Sequence, residues 1–145
     1  MYSLRPATSD DHERLRLIHD AGFHDVVDQV WGWDDDYQIQ RWANYMAAVV
    51  IDVIEVDSEI AGFIDLTKND DHWYVTNIVI APEQQRKGIG SAVLRDVIAQ
   101  AQSAGMPLRL QVMKLNPEAH ALYERLGFVV NGEIETHFKM EYVGQ

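Results

Sequence analysis

Ile78-Val79-Ile80-Ala81-Pro82-Glu83-Gln84-Gln85-Arg86-Lys87-Gly88-Ile89-Gly90-Ser91 is the stretch on which the reading of this 145-residue chain turns. An uncharged β-branched run enters a polar turn, and the turn enters a segment opened by Gly88 and Gly90. From there to Ala104, the residues Ile89, Val93, Leu94, Val97, Ile98 and Ala101 recur at helical spacing, with Arg95, Asp96, Gln100 and Gln102 off that stripe. The segment therefore predicts strand, turn and helix. The first N–H groups of a helix have no partner inside it, and the helix dipole adds partial positive charge there. Gly88 and Gly90 carry no side chains to keep a bulky anion from those amides, and Arg86 and Lys87 add full positive charge beside them. Such a site suits a phosphate or pyrophosphate. The competing reading of the two glycines is a plain tight turn. Spacing excludes two nucleotide loops: no glycine is followed by lysine and then serine or threonine, and the third glycine of a dinucleotide fingerprint would fall at Val93.

Working outward, Trp73 to Ile80 reads as a strand whose uncharged end, Asn77 to Ile80, suits a central position covered on both faces. Two strand-like runs precede it, Val49 to Val56 and Ile60 to Leu66, with Ser58 in the polar turn between them. Nearer the N-terminus, Tyr2 to Arg5 predicts a short strand. Thr8, Ser9, Asp10 and Asp11 supply cap chemistry for a helix bearing Leu15, Leu17 and Ile18. Gly22 to Asp36 reads as irregular, and Ile39, Trp42 and Met46 mark one face of a second helix. Downstream, Gly105 ends the long helix and Leu108 to Met113 alternates as a strand. Asn116-Pro117 opens a helix carrying Ala119, Leu122, Tyr123 and Leu126, which Gly127 stops. Strands near Phe128 to Glu135 and His137 to Tyr142 complete the order β-αα-βββ-α-β-α-ββ. This is a mixed sheet with helices on it, not an alternating doubly wound pattern.

Length predicts one domain spanning residues 1–145, with no repeat, low-complexity tract or linker to divide it. A net charge of −11 disfavours nucleic-acid binding, because the basic residues do not cluster beyond Arg86-Lys87. The longest apolar stretches are strand-sized, so no membrane span is expected, and Met1 to Pro6 lacks the features of a secretory signal. Without cysteine there is no disulfide framework, thiolate metal site or thiol nucleophile. No metal site is expected, and a cytoplasmic location fits.

Gln85 to Gly90 resembles the signature of the GNAT (Gcn5-related N-acetyltransferase) superfamily: glutamine or arginine, two residues, glycine, one residue, then glycine or alanine. A second stretch, Asn116 to Phe128, is similar to that family's later motif of asparagine, alanine three residues on, Leu-Tyr and then Gly-Phe. The resemblance covers residues 78–128, and the element order agrees at both ends. It implies a single-domain α/β (α+β) fold with a mixed, mostly antiparallel seven-stranded sheet and about four helices. It also implies acetyl-coenzyme A as cosubstrate and an amine as acetyl acceptor. Backbone amides over Gln85, Arg86, Lys87, Gly88, Ile89, Gly90 and Ser91 would grip the pyrophosphate, and Ile78, Val79 and Ile80 would pair with the pantetheine amides. Asn116 would contact the cofactor, and Tyr123 would point its hydroxyl at the thioester sulfur. Dimers are common in the resembled family, so a homodimer is among the expectations.

The chemistry asks for more than the motifs name. An amine with a pKa of about 10 must lose a proton before attacking a thioester, and the oxyanion then formed needs a donor such as the Val79 amide. A thiolate with intrinsic pKa near 8.5 leaves, so proton donation from a tyrosine near 10 is slightly uphill, which suits Tyr123 as a hydrogen-bond donor. In several members of the family an acidic residue on the strand before the loop serves as base, whereas this chain has Thr76 and Asn77 there. Asp65, His72 and His137 are the substitutes on offer, each histidine with the competing reading of an ordinary hydrogen-bonded residue, and a water chain is another route. His120 is expected to face solvent. Trp31 and Trp33, beside Asp34, Asp35 and Asp36, would suit a cationic acceptor. The opposing reading, favoured for at least one tryptophan, puts them in the core with the aspartates capping the next helix. Two other functions stay open: a noncatalytic acyl-coenzyme A sensor of the same fold, and a phosphate-binding protein of another fold.

Overall fold

A computed structural model of the chain describes residues 1–144. The elements run β1 (Tyr2–Pro6), α1 (His12–Trp31), α2 (Asp35–Ala48), β2 (Asp52–Val56), β3 (Glu59–Lys68), β4 (Trp73–Ile80), α3 (Ile89–Ser103), β5 (Leu108–Met113), α4 (Pro117–Leu126), β6 (Phe128–Glu133) and β7 (His137–Tyr142). Short 3-10 turns at Ser9–Asp11 and Pro82–Gln84 precede α1 and α3. The strands form one seven-stranded sheet in the order β1-β2-β3-β4-β5-β7-β6. Pairs β1–β2, β2–β3, β5–β7 and β7–β6 are antiparallel, and β4–β5 is parallel. The predicted fold class and order of elements hold.

Contacts divide the chain into two compact units, Met1–Asp65 with Ile78–Lys87, and Leu66–Asn77 with Gly88–Gln145. In the first, Leu15, Ile18, Trp42, Ile51, Val53, Phe63, Val79 and Ala81 form a core, with Phe23, Tyr45 and Met46 packed against it. Leu15 and Ile18 are buried as predicted, but Leu17 is 48% exposed. Gly22 does not end α1, which continues to Trp31. A Cβ at Gly22 would lie 3.3 Å from Val79 Cγ1, so close packing, not a turn, explains the glycine. The strand predicted from Val49 begins at Asp52, because α2 runs to Ala48 and the Val49 N–H still bonds the Tyr45 carbonyl at 3.2 Å.

The turn joining β2 to β3 is Asp57-Ser58, with φ of 53° and 66°. Both are left-handed, as a two-residue hairpin of matching twist requires. Neither residue is glycine, so each carries backbone strain. Replacing the pair with Asn-Gly (Asp57→Asn, Ser58→Gly) is expected to stabilise the chain by about 1 kcal/mol. Urea unfolding should then show a higher midpoint at unchanged slope.

Beside this hairpin, Asp11 is buried and accepts from the two terminal guanidinium nitrogens of Arg5, at 2.8 and 2.9 Å, and from the Thr8 N–H at 2.8 Å. Arg5 also donates to Glu55 at 3.1 Å. The Arg5 hydrogen bond, with help from Thr8, holds the Asp11 carboxyl well below the usual carboxylate range. A carboxylate depressed in the folded state contributes stability above its unfolded value, near 4, and loses it as pH falls further. Asp11→Asn is therefore expected to lower the unfolding temperature at pH 7 by roughly 3 °C. It should also flatten the fall in that temperature below pH 4, read by scanning calorimetry.

In the second unit, α3 buries Val93, Leu94, Val97, Ile98 and Ala101 of the stripe read from sequence, while Ile89 at its first position is only half-buried. Leu108, Leu110 and Val112 of β5 are buried on one face, and Arg109 on the other bonds Glu141 of β7 at 2.7 Å. The parallel ladder between β4 and β5 spans Trp73↔Leu108 to Val75↔Leu110.

Candidate functional site

Gln85, at the end of the Pro82–Gln84 turn, is extended, and its side-chain amide donates to the Ile80 carbonyl at 3.0 Å. That bond ties the loop back to the end of β4. Lys87 Nζ reaches Gln84 Oε1 at 3.4 Å. Arg86 has φ of 64°, a left-handed conformation that is strained for any residue with a Cβ. The charged pair Arg86-Lys87 is exposed.

Gly88 follows at φ 78°, ψ 10°, and α3 starts at Ile89. A Cβ at Gly88 would meet nothing within 4 Å, so the demand for glycine there is conformational. The start of α3 differs from the starts of the other helices. Asp34 caps α2 by accepting from Tyr37 N–H at 2.9 Å, and Asn116 caps α4 by accepting from Ala119 N–H at 3.2 Å. Helices α1, α2 and α4 carry Glu13, Asp35 with Asp36, and Glu118 in their first turns. Among the described residues, α3 is the one α-helix with neither a side-chain cap nor an acidic first turn. In a chain of net charge −11 that leaves its N-terminal amides and dipole to an outside anion. These donors fit a pyrophosphate.

On β4, Val79 is buried in the first core, while Ile78 and Ile80 are half-buried. The expected cover on both faces is therefore only partial at the residues predicted to line the pantetheine arm. Gly62 of β3 lies against this stretch, and a Cβ there would come within 2.1 Å of the Val79 carbonyl oxygen. The sequence reading missed this contact.

Tyr123 is buried on α4, its ring meeting Phe128 edge-on at 6.0 Å. Burial pushes its phenol up to about 12. Its helix is fixed at one end by Asn116 and at the other by Gly127, whose φ is 110°.

The candidates for base and acceptor sites fare differently. Thr76 is exposed and Asn77 half-buried, and neither is a base. His72 pairs with Asp71 at 2.7 Å, and His137 meets Thr136 Oγ1 at 2.7 Å, with burial pushing its imidazole down. His120 does not simply face solvent: it is half-buried and packs on Phe138 at 5.1 Å. Neither tryptophan joins the core. Trp31 is 62% exposed at the end of α1, where the helix has run past its packing partners. Trp33 is half-buried, stacks on His24 at 4.5 Å and donates from Nε1 to Asp35 at 2.8 Å. Asp34 does cap the next helix. Asp65 is only 4% exposed, and its carboxylate accepts from the Tyr45 hydroxyl, a partner no sequence spacing indicated.

The structure joins a mixed seven-stranded sheet to an uncapped, glycine-led helix that follows its fourth strand. The model of the acetyltransferase (GNAT) family matches residues 12–128, and the chain belongs to that family. Acetyl-coenzyme A is the cosubstrate that membership assigns, and acyl transfer is the family's chemistry. The chain is 43% identical over 53 residues to the [ribosomal protein bS18]-alanine N-acetyltransferase of Escherichia coli strain K12, a match covering 36% of each protein. Among solved structures it is similar to the PaiA N-acetyltransferase of Thermoplasma acidophilum in complex with coenzyme A, with a TM-score of 0.75, 19% identity and 98% of both chains covered. The E. coli ribosomal-protein-S18-alanine N-acetyltransferase gives a TM-score of 0.65 at 21% identity over 98% of this chain and 93% of that one. At such identities the likeness is one of fold. Among the described residues, no helix is long and apolar enough to cross a membrane.

Proposed function

We propose that residues 1–145 act as one cytoplasmic N-acetyltransferase domain that moves the acetyl group of acetyl-coenzyme A to a primary amine by direct attack. The observation that carries this is the start of α3, which has neither a side-chain cap nor an acidic residue in its first turn. In this reading the amides from Gln85 to Ser91, with Arg86 and Lys87, bind the pyrophosphate, and Ile78, Val79 and Ile80 present backbone groups to the pantetheine arm. Val79 N–H supports the oxyanion. Asn116 orders the N-terminus of α4, and Tyr123 donates a hydrogen bond to sulfur. A phenol pushed up to about 12 keeps its proton through the neutral range, which favours hydrogen bonding over full proton transfer. Trp31, Trp33 and the neighbouring aspartates offer aromatic faces and negative charge to a cationic acceptor. The relative's printed activity on a protein alanine makes a peptide with N-terminal alanine the first acceptor to try.

Coenzyme A at 100 times its Kd is expected to stabilise the fold by about 2.7 kcal/mol, with ATP and NAD giving no comparable rise in unfolding temperature. Thiol release from acetyl-coenzyme A should then appear with an amine acceptor present. Coenzyme A binding without turnover on peptide, lysine or polyamine acceptors would favour a sensor, the reading that Thr76 and Asn77 support. No binding at millimolar coenzyme A would remove both.

A further inference from the structure

Asp65 is the one buried carboxylate in the first unit, apart from Asp11, among the described residues. Asp11 is neutralised by Arg5, whereas Asp65 accepts from the Tyr45 hydroxyl through Oδ2. A carboxylate out of water with no cation beside it is costly to keep, and a chain does not need one to fill a core. Tyr45 and Asp65 come from different elements, α2 and β3. Tyr45 packs against the cluster that holds Phe63 and Val79, and Trp42 meets its ring edge-on at 5.7 Å. The pair therefore belongs to the same packed group as Val79, the residue whose N–H the acetyl-transfer reading assigns to the oxyanion. Tyr45 is half-buried, so its side chain is not sealed as Asp65 is.

We propose that Tyr45 and Asp65 form the proton-accepting dyad for the amine substrate, with Tyr45 touching the attacking nitrogen and Asp65 acting through it as a positioning residue. This rests on the acetyl-transfer reading. A phenol whose proton is committed to a carboxylate can meet any further group only as an acceptor, so it presents lone pairs to an amine N–H. The amine attacks as its neutral fraction, its first proton having gone to solvent. As its nitrogen bonds the thioester carbonyl carbon, the C=O electron pair moves to oxygen and the nitrogen becomes cationic. A second proton passes from that nitrogen to Tyr45 Oη while the phenol proton passes to Asp65 Oδ2. The oxyanion pair then re-forms the C=O bond as the C–S bond breaks, the C–S pair stays on sulfur, and the thiolate takes a proton from solvent. Asp65 returns its proton to solvent after the amide leaves. The dyad supplies the base that neither Thr76 nor Asn77 can be.

The test uses the full chain, acetyl-coenzyme A, and two amines, spermidine and a peptide with N-terminal alanine. Tyr45→Phe is expected to lower kcat on the accepted amine by roughly 10²-fold, with the KM for amine and the Kd for coenzyme A within twofold of wild type. Because Tyr45→Phe strips a buried carboxylate of its partner and can unfold the chain, Asp65→Asn is the second variant. It keeps volume and an acceptor oxygen for the phenol but takes no proton, so kcat should fall similarly at near-wild-type unfolding temperature. The double variant should cost no more than the worse single one, as expected of groups acting as a unit. Wild-type kcat in a folded Asp65→Asn protein overturns the dyad. So does a fall in turnover matched by equal loss of coenzyme A binding, which is the mark of a structural pair. A wild-type chain that acetylates neither amine overturns the acetyl-transfer reading itself, and the dyad with it.

Discussion

Gly62→Ala is expected to leave the chain largely destabilised, lowering the unfolding free energy by about 3 kcal/mol, a large part of the total for a domain this size. The new Cβ would sit 2.1 Å from the Val79 carbonyl oxygen and 3.0 Å from Ile80 Cα. Both are backbone atoms, so no side-chain rotation relieves the overlap, and β4 itself must move. Ala81 N–H bonds the Ala61 carbonyl at 2.7 Å beside this point, which holds the two strands together and leaves little slack. Movement of Val79 would also displace the amide proposed to meet the oxyanion. Whatever fraction folds should show a higher KM for acetyl-coenzyme A as well as a lower kcat. Denaturant unfolding and steady-state kinetics on the same preparation check both parts. A Gly62→Ala protein of wild-type stability would mean that the close approach of β3 to β4 is not a feature of the fold.

Tyr123→Phe is expected to reduce kcat by roughly 10²-fold while coenzyme A binds as before and unfolding temperature changes little. The substitution removes one hydroxyl and keeps the ring against Phe128. If that hydroxyl serves the leaving sulfur, the loss falls on the chemical step. Rapid-quench measurement of a single turnover separates that step from product release. An unchanged single-turnover rate would leave Tyr123 as a packing residue that completes the α4 core face.

Much of the fold was legible because the sequence repeats its message at several levels. The α3 stripe, the Asn116-Pro117 start and the Gly127 stop each agree with the helix they mark, and all appear where read. Local rules failed where tertiary packing outweighed them. Gly22 reads as a break, yet it lies inside α1 because the helix must approach Val79 closely. Leu17 fits an apolar stripe, yet it points outward because only Leu15 and Ile18 meet the sheet-side core. Two tryptophans invited burial, but the last turns of α1 carry Trp31 beyond the core and Trp33 packs on His24.

The sequence by itself determined the elements, their order and the anion-ready loop. Each of these depends on residues within a few positions of one another: periodic apolar side chains, caps, and glycines with positive φ. It also sufficed to name the family, since two local motifs carry the resemblance. Only the tertiary structure decided that Gly62 makes room for the Val79 carbonyl and that Asp65 is buried against Tyr45. Those pairs join residues 17 and 20 positions apart through the pairing of strands and the docking of a helix. Side-chain burial and backbone approach at such separations follow from packing of the whole, and no local pattern encodes them.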